Sequence, residues 1–281
     1  MTMDSAPDDR HAGMMLVELL VTLVILGLVG AAITGLFFTQ SRFFGTQDAK
    51  REARSASRSA VNVMLSELRM VEAIGGLVSA EEQSVSLRVP YALGVVCSAS
   101  STEIVASLFP TDNVGAADGL SSAGYAWRDD SGVYHYRTAS AGAASAAACT
   151  GAGIAIVPNG QAVKLEPGDA SAPSGAPLFL YRRITYDFRP VAGVPGNVEL
   201  WRKEEGSSVV EEPIGGPFDG ASSRFRYFVL DGAEPEDVPP ANPAEIRGLE
   251  FVLDGRSERP APGGGETHSA KYATAVFFHN R

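Results

Sequence analysis

Hydrophobic positions are concentrated near one end of the chain. From Met14 to Phe38 the sequence runs MMLVELLVTLVILGLVGAAITGLFF, about 25 residues in which Glu18 is the only charge. About 20 consecutive apolar residues in a helix cross a bilayer core, so the pattern predicts a transmembrane segment. A secretory signal would set a shorter apolar region after a basic start and end it in small residues at a cleavage site. Here the thirteen residues ahead of Met14, MTMDSAPDDRHAG, hold three Asp and one Arg. Cleavage after the apolar stretch is therefore not expected.

The helical pattern continues past that stretch. Ser41 to Ala73 has no Pro, only Gly45 among glycines, and many Ala, Arg, Glu and Leu. Val61, Met64, Leu65, Leu68 and Val71 recur three or four apart and share a face, whereas Arg54, Arg58, Glu67 and Arg69 fall on other faces. The apolar face is expected to pack on a domain, with Gly75-Gly76 as the stop signal.

Beyond Gly76 the period changes. Short β-branched and aromatic runs alternate with Gly, Pro, Ser and Asp clusters, which predicts a β-rich domain. The strand candidates are Ser84–Val89, Glu103–Ser107, Val133–Thr138, Leu178–Arg189, Val198–Lys203, Ser223–Leu230, Arg247–Leu253 and Thr274–Asn280. In the sixth, Phe225, Tyr227 and Val229 alternate with Arg224, Arg226 and Phe228. Ala139–Gly153 is small-residue low complexity, and Ala233–Pro243 and Pro260–Gly265 are rich in Pro or Gly; all three read as exposed loops. The Pro-rich stretch Pro167–Pro177 is the place where the β region could divide, and the sequence leaves open whether it forms one lobe or two. The expected fold is α+β: a leader at 1–13, a transmembrane segment at 14–38, its amphipathic continuation at 39–73, and a β-rich head at 74–281 docked on the helix.

Charge and cysteine content narrow the function. A net charge of −10 argues against nucleic acid, whose binding draws on clustered Lys and Arg. Cys97 and Cys149 lack the spacing of a zinc site, and read as one disulfide or as two buried thiols. His11, His135, His268 and His279 are scattered and suit surface or packing roles. Gly119–Gly124 lacks the Gly-x-Ser-x-Gly spacing of a nucleophile elbow and reads as a turn. The Asp231–Asp237 segment is Pro-interrupted and lacks EF-hand alternation, which favours a solvated acidic loop over a calcium site. Trp127 and Trp201 read as core or strand-face residues. No catalytic constellation, metal or cofactor emerges, and an enzyme is not expected.

Glu18 carries the sharpest signal. A carboxylate inside a membrane span costs roughly 2.5–3.5 kcal/mol and needs a partner. No basic residue lies between Met14 and Phe38, so the partner must come from elsewhere. The run Gly13-Met14-Met15-Leu16-Val17-Glu18-Leu19-Leu20 resembles the type IV prepilin signature, a Gly before an apolar residue with Glu four positions further on. Met14 stands where that family commonly has Phe and Met15 where it has Thr, and the leader is acidic where family leaders are usually basic. The resemblance implies cleavage by prepilin peptidase between Gly13 and Met14, N-methylation of Met14, and pairing of Glu18 with the terminal amine of a neighbouring subunit. Gly27, Gly30 and Gly35 read as helix-packing positions.

The strands around Leu180–Phe188 and Val198–Arg202, with the final Ala275–Arg281, are similar to those of PilW-like minor pilins and J-type minor pseudopilins of type II secretion. The resemblance implies an assembly subunit held in the inner membrane with its head outside the cytoplasm, whose partners are other pilin or pseudopilin subunits. The distribution of cations points the other way, with Arg10 before the span and Arg42, Lys50, Arg51, Arg54 and Arg58 after it. We give the signature more weight, because pilin-like helices continue past the membrane with charges that serve subunit packing. The competing expectation is a single-pass anchored binding or sensor protein that does not assemble.

Overall fold

The computed structural model describes residues 10–110, 122–156, 160–205, 209–230, 232–258, 260 and 267–278, with backbone alone for 10–15. One helix, α1 (Arg10–Leu68), runs for 59 residues, about 88 Å at the usual 1.5 Å rise. No Pro interrupts it. Its two halves have different surroundings. From Leu16 to Phe44 it touches no other element closely enough to bury a side chain, whereas Ala49, Ala53, Ser57, Ala60, Val61, Met64 and Leu68 are buried against a sheet.

That sheet is antiparallel throughout and has thirteen strands among the described residues. They are β1 (Leu77–Ala80), β2 (Ser84–Ala99), β3 (Ile104–Leu108), β4 (Gly124–Arg128), β5 (Tyr134–Thr138), β6 (Ser140–Ala143) and β7 (Gln161–Glu166), followed by β8 (Pro177–Pro190), β9 (Asn197–Glu205), β10 (Val210–Asp219), β11 (Arg224–Val229), β12 (Ile246–Arg256) and β13 (Ser269–Phe277). The main path is β11-β12-β10-β9-β8-β2-β3-β7-β6; β1 joins β2, β13 joins β12, and the β4–β5 hairpin joins β8. A short helix, α2 (Ala147–Gly151), precedes β7. The chain is thus α+β, a long apolar N-terminal helix docked by its distal half on a large antiparallel sheet.

The small residues of α1 explain how closely it docks. A Cβ built on Gly255 of β12 would lie 2.1 Å from the Ala53 carbonyl oxygen, and one on Gly215 of β10 would lie 2.9 Å from the Ala60 Cβ. Ala and Gly therefore face each other where helix and sheet approach, and the larger Met64 and Leu68 fill the wider space further along. The helix ends at Leu68, short of the Ala73 expected from periodicity. Its last hydrogen bonds tighten to Met70 N–Glu67 O and Val71 N–Leu68 O, and Val71 and Ala73 turn into the core instead of continuing the axis.

Two main apolar cores share the sheet, beside two small clusters around Cys97–Cys149 and around Phe179 and Tyr181. The larger gathers Val61, Met64 and Leu68 with Leu87, Tyr186, Leu200, Phe225 and Leu249. The smaller holds Val96, Ile104, Tyr125, Trp127, Val163 and Leu180. Strands β2 and β8 run through both, pairing continuously from Ser84–Asp187 to Val95–Pro177 with one irregularity at Pro90–Ala92. The division lies across these two strands, not at Pro167–Pro177, because a long strand pair can present its two halves to different cores.

Every strand candidate read from the sequence overlaps an observed strand, the end of the last one, 279–280, lying outside the described residues. Those missed were β1, β4, β6, β7 and β10. The Ala139–Gly153 stretch is not a plain exposed loop: it forms β6 and α2, and Ala139 and Cys149 are buried. Small side chains gave no hydrophobic signal there, and pairing with β7 supplied the order. In β11 the alternation holds through Tyr227 and then shifts between Phe228 and Val229, so Phe228 is buried and stacks on Phe277 at 4.8 Å.

Candidate functional site

The apolar half of α1 is the largest unpartnered surface. Leu16, Leu19, Leu23, Leu26, Phe37 and Phe38 are each 59% exposed or more, and no other element covers them. A soluble surface rarely shows so continuous an apolar patch. Its backbone is satisfied within the helix, and the hydroxyls of Thr22, Thr34 and Thr39 donate to the carbonyls of Glu18, Gly30 and Gly35 one turn back. These three hydroxyls therefore need no water partner, which suits a hydrocarbon environment. A Cβ on Gly27, Gly30 or Gly35 would meet nothing within 4 Å, so the head does not use these positions.

Glu18 lies on the exposed surface of this stretch, and no ion-pair partner for it exists among the described residues. The backbone at Gly13 and Met14 is helical and continuous with the apolar span; their side-chain surroundings, and the leader residues 1–9, lie outside the described residues.

A second constellation fixes the distal helix to the head. Arg202 of β9, 8% exposed, donates from Nε and Nη2 to Glu67 Oε1 at 3.0 and 2.8 Å and from Nη2 to Glu204 Oε2 at 2.8 Å. The Tyr186 hydroxyl of β8 donates to Glu67 Oε2. Burial and the neighbouring Glu67 carboxylate hold the Tyr186 hydroxyl well above the ordinary tyrosine range, so it remains a donor. From the sequence Glu67 reads as a solvated residue off the packing face. It instead reaches over the edge of that face to a buried arginine on β9. Charged partners 135 positions apart leave no local signal, and only the register of β8 and β9 brings them together.

The smaller core has its own polar anchor. Asp169, 8% exposed, accepts from Trp127 Nε1 at 3.3 Å, Arg137 Nε at 3.0 Å and the Ser171 backbone at 3.0 Å. Burial alone would raise its carboxyl, but hydrogen bonds from Ser171, Trp127 and Arg137 outweigh it and hold the group at about 2. Trp127 is a core residue and stacks on His135 at 4.4 Å, with His135 also meeting Asp129 at 2.7 Å. Trp201 is half-buried on a strand face beneath Arg189. The Asp231–Asp237 segment contributes Asp237, whose Oδ1 accepts from Arg224 and Arg226 at 2.9 and 2.8 Å; Asp231 itself lies outside the described residues, as do the side chains of His11 and His279.

Cys97 on β2 and Cys149 on α2 are joined as a disulfide, 52 positions apart. It ties the small-residue β6–α2 segment to β2 within a small cluster of its own, with Val105 and Ala162, where few large side chains could hold it. Closing a loop of this length is expected to stabilise the chain by about 4 kcal/mol at most. Cys97→Ala/Cys149→Ala should therefore lower the unfolding free energy by about 2–4 kcal/mol, read as an earlier denaturant midpoint. A loss under about 0.5 kcal/mol would mean that the bond constrains nothing that packing has not already fixed.

These features define the class: an α+β chain with, among the described residues, one N-terminal helix long and apolar enough to cross a membrane, as an anchor helix or a signal sequence is. Comparisons of the chain with protein-family profiles, with curated proteins and with solved structures found no match.

Proposed function

We propose that the chain is a non-catalytic assembly subunit, a minor pilin or minor pseudopilin of a type IV pilus or type II secretion system. One observation carries the reading. An unbroken helix presents its whole N-terminal half, apolar and bare of any partner, with a lone carboxylate at Glu18 and with Gly13 five residues before it. In this reading the span first holds the subunit in the inner membrane with the head outside the cytoplasm. After cleavage at Gly13 the same surface packs against other subunits, and Glu18 pairs with an N-terminal amine. Apolar burial supplies most of the affinity and the charge pair sets register. The docked distal half makes the head and the span one rigid lever, as a filament subunit requires.

The test is intact-mass and N-terminal peptide mass spectrometry on protein from native membranes. The expected mature chain begins at N-methyl-Met14. A chain that keeps residues 1–13, in cells whose prepilin peptidase cuts other substrates, would overturn the assignment and favour the anchored binding or sensor protein.

A further inference from the structure

A row of cations borders a cleft of about 370 Å³ between α1 and β13. Lys50, Arg54 and Arg58 recur every fourth residue on α1, which sets them about 6 Å apart along the helix axis. Residues 269–272 of β13 form the opposite wall. No carboxylate lines the cleft, and none of the three cations has an ion-pair partner among the described residues. Arg42, Arg69, Arg128 and Arg247 also lie in no ion pair among the described residues, but none of them sits in a row. Arg51, one residue from Lys50, meets Asp48, and on the head Arg189, Arg202, Arg226 and Arg256 each meet carboxylates. Lys271 on the facing wall adds a fourth positive charge, so in a chain of net charge −10 the cleft gathers four cations with no carboxylate among the described residues that line it.

The wall they face is also incomplete. β13 pairs with β12 alone among the described residues, so one edge of its backbone has no strand partner. An extended segment laid on that edge would carry same-face side chains roughly 6.6–6.8 Å apart, close to the spacing of the cations. We propose that this cleft is the docking site for an acidic, extended segment of a partner protein, which adds to the edge of β13 while its carboxylates meet Lys50, Arg54 and Arg58. The proposal does not rest on the filament reading, since it requires only the helix and the sheet edge.

Geometry argues against a lipid headgroup as the anion. Lys50 stands 12 residues past Phe38 and Arg58 stands 20 past it, about 18 and 30 Å along the helix. A headgroup layer is only about 5–8 Å deep, so a row running along the membrane normal would leave it behind.

The probe is a fluorescein-labelled peptide of eight glutamates, titrated against the full chain in non-ionic detergent at low and high salt. Saturable, salt-sensitive binding is expected. It should weaken at least about tenfold in Lys50→Gln/Arg54→Gln/Arg58→Gln and stay unchanged in Arg42→Gln/Arg51→Gln, which removes charges from the same helix outside the cleft. The reversed variant Arg54→Glu/Arg58→Glu should prefer an octalysine peptide, which keeps the test valid if neutralisation perturbs folding. Equal weakening in both neutralised variants, or none in either, overturns the proposal. Displacement by inorganic phosphate at the peptide's own concentration would reveal a small-anion site and overturn it as well. A peptide N-methylated at alternate residues should bind about tenfold more weakly; equal binding would rule out addition to the strand edge.

Discussion

Arg202→Ala is expected to destabilise the folded chain by about 3 kcal/mol, because it leaves the Glu67 carboxylate half-buried with only the Tyr186 hydroxyl. The cost comes from the stranded charge more than from lost attraction. Replacing both partners should consequently cost less than replacing one. In Glu67→Met/Arg202→Met, Glu204 keeps its contact with Arg182 at 3.2 Å, and Glu212, 55% exposed, returns to water. Guanidinium unfolding of the full chain in detergent, followed by fluorescence of Trp127 and Trp201, would measure all three. Hydrogen exchange should further show protection lost first at the Met64–Leu68 turn, since the pair pins that part of α1 to β9. A loss below about 1 kcal/mol for the single variant would show that apolar packing alone seats the helix.

Glu18→Ala is expected to leave membrane insertion intact and to abolish incorporation into filaments. Removing a carboxylate from an apolar span makes the span easier to insert, by roughly 2.5–3.5 kcal/mol. In the assembly proposed above, that energy is recovered by pairing once subunits pack. Loss of the pair should lower incorporation on the order of 10²-fold, read as the share of the chain in sheared filament fractions against the membrane fraction. Glu18→Gln should fail in the same way, because it keeps the shape and hydrogen-bonding capacity but not the charge. Normal incorporation of either variant would sink the pairing mechanism while leaving the membrane anchor untouched.

The two proposals fail separately. Glu18 variants test assembly through the apolar span, and the Lys50/Arg54/Arg58 variants test recognition at the edge of the sheet. A chain that assembles normally with a neutralised cleft would still be a filament subunit, and one that keeps its leader would still have a cationic groove.

The sequence by itself determined the elements whose cause is local. A run of apolar residues with one charge specifies a helix long and apolar enough to cross a membrane, because these are properties of neighbouring residues and need no reference to the rest of the chain. The spacing of Val61, Met64 and Leu68 likewise fixed the docking face, and β-branched alternation fixed the long strands. Tertiary structure alone decided what depends on distant partners. Gly215 and Gly255 carried no reading in the sequence, and it is the close approach of α1 that requires a residue without a side chain there. Ser140–Ala143 became a strand by pairing, without hydrophobicity of its own. Glu67 became a structural anion only when β8 and β9 delivered Tyr186 and Arg202, and the cationic row became a cleft only when β13 ended the sheet beside it. Hydrophobic periodicity is a property of neighbouring residues, whereas charge pairing and close backbone approach are properties of register, which the chain sets only when it folds.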